Sequence, residues 1–188
     1  QNIEGGSLKV IGLATAFYWI SRTATTVPLS RFMDRTNGER DEYYFMIVGS
    51  FLMSSLPLFY ILVSLPWHVY LIQFLMGLAN SMAVPAWRIL FTDHIDRGRT
   101  GYEWSLEDIA IGFSVGASAY LGSILADRFG FEIIFILLAI LGYLATAIFL
   151  IPLKNEAKTI AQFKREGRWA KIKEGRKEMP PVIKGDGM

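Results

Sequence analysis

Between Tyr43 and Trp87 the chain carries no Asp, Glu, Lys or Arg, and His68 is the one group there that titrates near neutral pH. A bilayer's hydrocarbon core takes about 20 apolar residues per spanning helix. This run is about twice that length, and Leu65-Pro66-Trp67-His68 interrupts it near its middle. Two spanning helices joined by a short uncharged turn satisfy both facts. A soluble helix of such length would show a polar face. The rest of the chain can be placed relative to this hairpin.

Composition agrees. Charged residues make up 19% of the 188, against about 25% in soluble domains, and mean hydropathy is +0.33. There is no cysteine, which excludes disulfides, thiolate metal sites and a cysteine nucleophile. The first residue is Gln, and no basic segment with a short apolar core opens the chain. This reading therefore expects a chain cut from something longer.

The pattern predicts an all-α, polytopic membrane protein with five transmembrane helices. The spans fall at about Leu8–Leu29, Tyr43–Ser64, Val69–Phe91, Ser105–Ala126 and Phe131–Leu153, with Ser105 as the expected N-cap of the fourth. A tail follows from Lys154 to Met188. Residues 1–153 hold 9 Lys+Arg against 12 Asp+Glu, and the tail holds 10 against 5. Arg31, Arg35 and Arg40 lie in one loop, and Arg97 and Arg99, with Arg88 just before them, mark another. The positive-inside bias puts both loops and the basic tail in the cytoplasm of a plasma-membrane protein. Five spans then leave the N-terminus outside, a second reason to expect a helix upstream.

Several spans carry more than lipid-facing side chains. The fourth repeats small residues, Ala110, Ser114, Ser118 and Gly122, beside Gly112 and Gly116, which suits close helix packing. The third holds Gln73 and Asn80, seven apart on one face, with Trp87 a further step along. Unpaired amides are expensive in hydrocarbon, so these face a polar cavity or bond another helix. The first holds Arg22, with Tyr18 on its face, placed some seven residues inside its cytoplasmic end. An intramembrane arginine costs at least about 2.5 kcal/mol and marks a functional site unless it snorkels to the head groups. Arg22, Gln73 and Asn80, walled by Tyr18 and Trp87, are the candidate solute contacts.

The segment RFMDRTNGER resembles the loop motif of the major facilitator superfamily, Gly-x-Leu-Ala-Asp-Arg-x-Gly-Arg-Arg/Lys. Asp34 and Arg35 match its Asp-Arg pair, Gly38 its second Gly and Arg40 its last basic position. Ser30 stands for the first Gly, Asn37 is an insertion, and Glu39 replaces a basic residue. WSLEDIAIGFSVGASAYLGSILADRFGF, followed by one more span and a basic tail, looks like the end of a C-terminal half. The resemblance covers about Leu8 to Leu153. It implies helices eight to twelve, truncated before the first helix of a six-helix half, with an absent N-terminal half as partner. It also implies alternating access, with spans two and five facing lipid, span three lining the cavity and span four at the interface between halves. Asp34, Arg35, Arg40, Arg88 and Asp93 would then form a gating charge network.

Other classes fit less well. His68 and His94 sit at turns on opposite sides of the membrane, so they cannot share a metal, and neither a cofactor nor an enzyme is expected. A membrane scaffold or sensor, its basic tail drawing anionic lipid through Lys164, Arg165, Arg168, Lys171 and Lys173, is the alternative. Nucleic-acid binding is not expected from so small a basic excess beside a membrane anchor. The expected partners are a small solute, the lipid bilayer and the other half of a transporter.

Overall fold

A computed structural model describes residues 7–36, 40–96 and 98–156. All regular structure among them is helical: α1 (Leu8–Thr36), α2 (Arg40–Ser55), a 3-10 segment (Leu56–Leu62), α3 (Pro66–His94), α4 (Thr100–Phe129) and α5 (Phe131–Glu156). Four stretches are long and apolar enough to cross a bilayer: Asp41–Leu62, Pro66–His94, Thr100–Phe129 and Phe131–Ile148. α1 has the length, at 29 residues, but it carries Lys9, Arg22, Arg31, Asp34 and Arg35.

Local chemistry explains the breaks. Pro57 has no N–H to give, and its ring crowds the carbonyl four residues back. The second span therefore leaves the α-helix at Ser55 and ends as a 3-10 helix. Pro66 starts α3, where a missing N–H costs nothing. His68 Nδ1 accepts from the backbone N–H groups of Leu65 (3.3 Å) and Ser64 (3.4 Å) and closes the turn. Gly130, at φ 81°, takes the left-handed conformation that reverses the chain between α4 and α5.

Two expected boundaries are corrected. Ser105 does not cap α4. The helix begins five residues earlier, at Thr100, and Ser105 Oγ donates to the Gly101 carbonyl one turn back (2.7 Å). No side chain among the described residues caps its first turn; Glu103 accepts instead from the Asp96 N–H of the preceding loop (3.2 Å). The loop expected from Ser30 is also helical. α1 continues through Pro28 to Thr36, so the first part of the charged motif rides on a helix end.

α1 and α3 run parallel and in close contact. Phe17 stacks on Tyr70, with ring centroids 5.4 Å apart. Ser21 Oγ donates to the Phe74 carbonyl (2.9 Å), and Thr25 Oγ1 and Ser81 Oγ share a hydrogen bond (2.7 Å). Met33 closes the far end, fully buried with Tyr43, Met46, Ala86 and Leu90. Such hydroxyl pairs hold membrane helices together where apolar contact gives no preference over lipid. Thr25→Val keeps the shape and removes the bond. It is expected to lower stability by about 1 kcal/mol, read by thermal unfolding in detergent; an unchanged midpoint would contradict the seam.

Glycines set the other crossings. A Cβ on Gly49 of α2 would lie 2.7 Å from the Ala83 N and 2.8 Å from the Ala79 O, so α2 and α3 touch at backbone distance. A Cβ on Gly142 of α5 would strike the Ser54 hydroxyl of α2. Beside it, Ser55 and Tyr143 hydroxyls bond (2.8 Å), and Tyr60 stacks on Phe135 (5.3 Å). α4 stands apart. None of its residues is buried, and nothing lies within 4 Å of a Cβ built on Gly112, Gly116 or Gly122. It is tied at its start, where Trp104 meets the Phe91 ring edge-on (4.9 Å) and Glu107 accepts from Trp87 Nε1 (3.4 Å).

Candidate functional site

The two tightly packed helices α1 and α3 are each 29 residues long. Counting from their ends, the middle residue of α1 is Arg22 and that of α3 is Asn80. Arg22 therefore lies about 21 Å along the axis from either end of α1, within the stretch from Val10 to Ser30 in which it is the one charged residue.

The register sets the Arg22 backbone beside Gly77, one turn before Asn80. Gly77 of α3 lies against the Tyr18 O, the Ser21 hydroxyl and the Arg22 N, and Asn80 is one turn further along α3. Arg22 is half-buried. Its guanidinium carbon sits 4.9 Å from the centroid of the Trp19 ring, a cation–π contact. Asn80 is half-buried too, and its Oδ1 is buried with no hydrogen-bond partner among the described residues. A buried amide oxygen left without a donor loses about 1–3 kcal/mol. It therefore has an unfilled demand for a donor.

The other candidates divide. Gln73 shares the face of Asn80, but its Nε2 already donates to the Tyr60 hydroxyl (2.9 Å), so it braces α3 against the 3-10 segment. Tyr18 is half-buried beside Gly77. Trp87 is 40% exposed and, with Val84, lines a cavity of about 570 Å³ between α2, α3 and α5. That cavity is almost wholly apolar. Its hydroxyls at Ser54 and Thr146 are spent on carbonyls of their own helices (2.8 Å each).

Of the small-residue ladder of α4, Ser114 and Ser118 are exposed, and a Cβ on Gly112, Gly116 or Gly122 would meet nothing within 4 Å among the described residues. Of the charge network, Asp34 and Arg88 are exposed at one end of the bundle. Asp93, also exposed there, is engaged with a neighbour. The side chains of Arg35 and Arg40 lie outside the described residues, as does the tail from 157 onward. Sequence reasoning missed Glu42. It is 3% exposed, and its Oε2 is buried without a described partner. Its signal was the spacing 42, 43, 46, which puts it on the same face as the buried Tyr43 and Met46.

Four helices among the described residues that are long and apolar enough to cross a bilayer define a multi-pass membrane protein. Residues 4–182 match the sequence pattern of the Major Facilitator Superfamily, and the chain belongs to that family. Among curated proteins it is similar to the "Uncharacterized MFS-type transporter YitZ" of Bacillus subtilis (strain 168). The two are 26% identical over 141 residues, which cover 75% of this chain and 84% of that protein. No solved structure matches.

Proposed function

We infer that this chain is the C-terminal portion, helices eight to twelve, of a secondary transporter that moves a small solute by alternating access. Family membership supports a transporter over an enzyme. The observation that carries the reading is the coincidence of Arg22 and Asn80 at the midpoints of two packed helices. Transporters of this general build bind near the bilayer midplane, and two bundles rock around that fixed site. The donors of Arg22 and the amide of Asn80 contact the solute, with Tyr18 and Trp87 as aromatic walls and Gln73 bracing the helix behind them. The end bearing Asp34, Arg88 and Asp93 faces the cytoplasm of a plasma-membrane protein, where these charges and Arg35 and Arg40 hold one access state. The tail lies on the same side.

The exposed ladder of α4 is the surface on which we place the rest of the transporter, including its N-terminal half. Two consequences separate there. Gly116→Leu is expected to leave the folding of this chain within about 0.5 kcal/mol, as a substitution into open space. The same change is expected to abolish transport by blocking close helix approach. Unfolding midpoints and vesicle uptake of labelled small solutes, measured on the natural gene product, test both. Full transport by the Gly116→Leu protein would remove α4 from the interface.

A further inference from the structure

Resting on that transporter reading, we propose that the solute is a small anion whose negative charge is neutralised by the Arg22 guanidinium. Among the described residues no carboxylate stands level with Arg22. From Tyr43 to Arg88 there is no acid at all, and α1 has none until Asp34, three turns on. Those of α4 and α5 stand within about three turns of a helix end, at Glu103, Glu107, Asp108, Asp127, Glu132 and Glu156, and none is in the middle of its helix. Trp19 stabilises the guanidinium through its ring face but leaves the net charge at plus one. A cation held in the middle of a bilayer without a fixed counter-ion is costly. The balance is restored when the counter-ion arrives as cargo. The neighbouring chemistry agrees, because Arg22 offers a fork of five N–H donors and suits carboxylate or phosphate oxygens. Asn80, one turn from the Gly77 contact, adds an amide that donates as well as accepts.

The test needs no knowledge of the solute. The chain holds no cysteine, so Asn80→Cys gives it a single thiol. The natural full-length protein carrying this change is placed in membrane vesicles. It is treated with a sulfonate-bearing or a trimethylammonium-bearing ethyl methanethiosulfonate, each rate divided by that of the same reagent with a free thiol in solution. The parent protein without the change supplies the background. The sulfonate is expected to react at least about tenfold faster than the ammonium reagent, as one nearby unscreened charge dictates. Arg22→Gln is expected to collapse the ratio to about one, and Arg22→Lys to keep most of it.

A ratio near one, or a preference for the ammonium reagent, in the Arg22 protein overturns the anion assignment. The water-facing site would then survive, with the arginine neutralised by a carboxylate from the other half. A sulfonate preference that persists in Arg22→Gln overturns it as well. Failure of both reagents to reach Cys at this position would instead remove the solute-facing role of Asn80, and the anion assignment with it.

Discussion

Gly77→Val is expected to be the most damaging single substitution in the chain, lowering stability by about 3 kcal/mol, the upper end for overpacking a close contact. A Cβ at Gly77 would occupy the space of the Ser21 hydroxyl and the Tyr18 carbonyl. One of these is backbone and cannot rotate away. The other donates to the Phe74 carbonyl, so moving it also breaks the α1–α3 hydrogen bond. α1 has few other attachments, because its principal partner is α3. Gly112→Val is the control, since it adds the same side chain to a helix glycine with nothing within 4 Å. Thermal unfolding in detergent should separate the two by many degrees. Equal midpoints would mean that α1 and α3 are not in contact at Gly77.

The second large effect falls on transport. Arg22→Ala and Asn80→Ala are each expected to reduce solute uptake at least tenfold, corresponding to loss of about 1.4 kcal/mol or more of solute binding. Stability should move little, and for Asn80→Ala hold or rise, because removing a buried oxygen without a partner among the described residues relieves its desolvation cost. That opposite direction distinguishes a solute contact from a structural one. Thr25→Val weakens the fold and Asn80→Ala does not. Uptake at the parental rate in both variants would remove Arg22 and Asn80 from the site.

Much of the architecture was legible because membrane solvation leaves few options. The uncharged run from Tyr43 and its break at Pro66 fixed a hairpin, and the Pro57 and Gly130 breaks follow from backbone chemistry. The end of α1 was not legible. Arg31, Asp34 and Arg35 read as a loop by charge, although nothing in Ser30–Thr36 prevents a helix. Ser105 failed as a cap for a related reason: a hydroxyl inside a helix can bond the carbonyl one turn back as readily as it can cap.

Packing was legible in the wrong place. The repeated small residues of α4 drew attention by their period, yet among the described residues none of them is buried and its glycines have open space about them. The glycines that seat helices against one another, Gly49, Gly77 and Gly142, are solitary in sequence. The Ser21–Thr25–Ser81 seam was equally silent, since serine and threonine occur wherever a helix is wet. Only the facing helix tells which hydroxyls are buried.

The central claim is that polar side chains at the middle of apolar helices turn inward, while the uniform helices meet lipid. Spin labels placed one at a time at Gln73, Asn80, Ile140 and Leu144 test it most directly, by comparing collisions with oxygen, which concentrates in acyl chains, and with a water-soluble nickel complex. The latter two residues are 48% and 52% exposed on α5. Oxygen should dominate at Ile140 and Leu144, and the nickel complex should gain at Asn80 and, less strongly, at Gln73. Oxygen dominance at Gln73 and Asn80, with Ile140 and Leu144 shielded from it, would contradict the account.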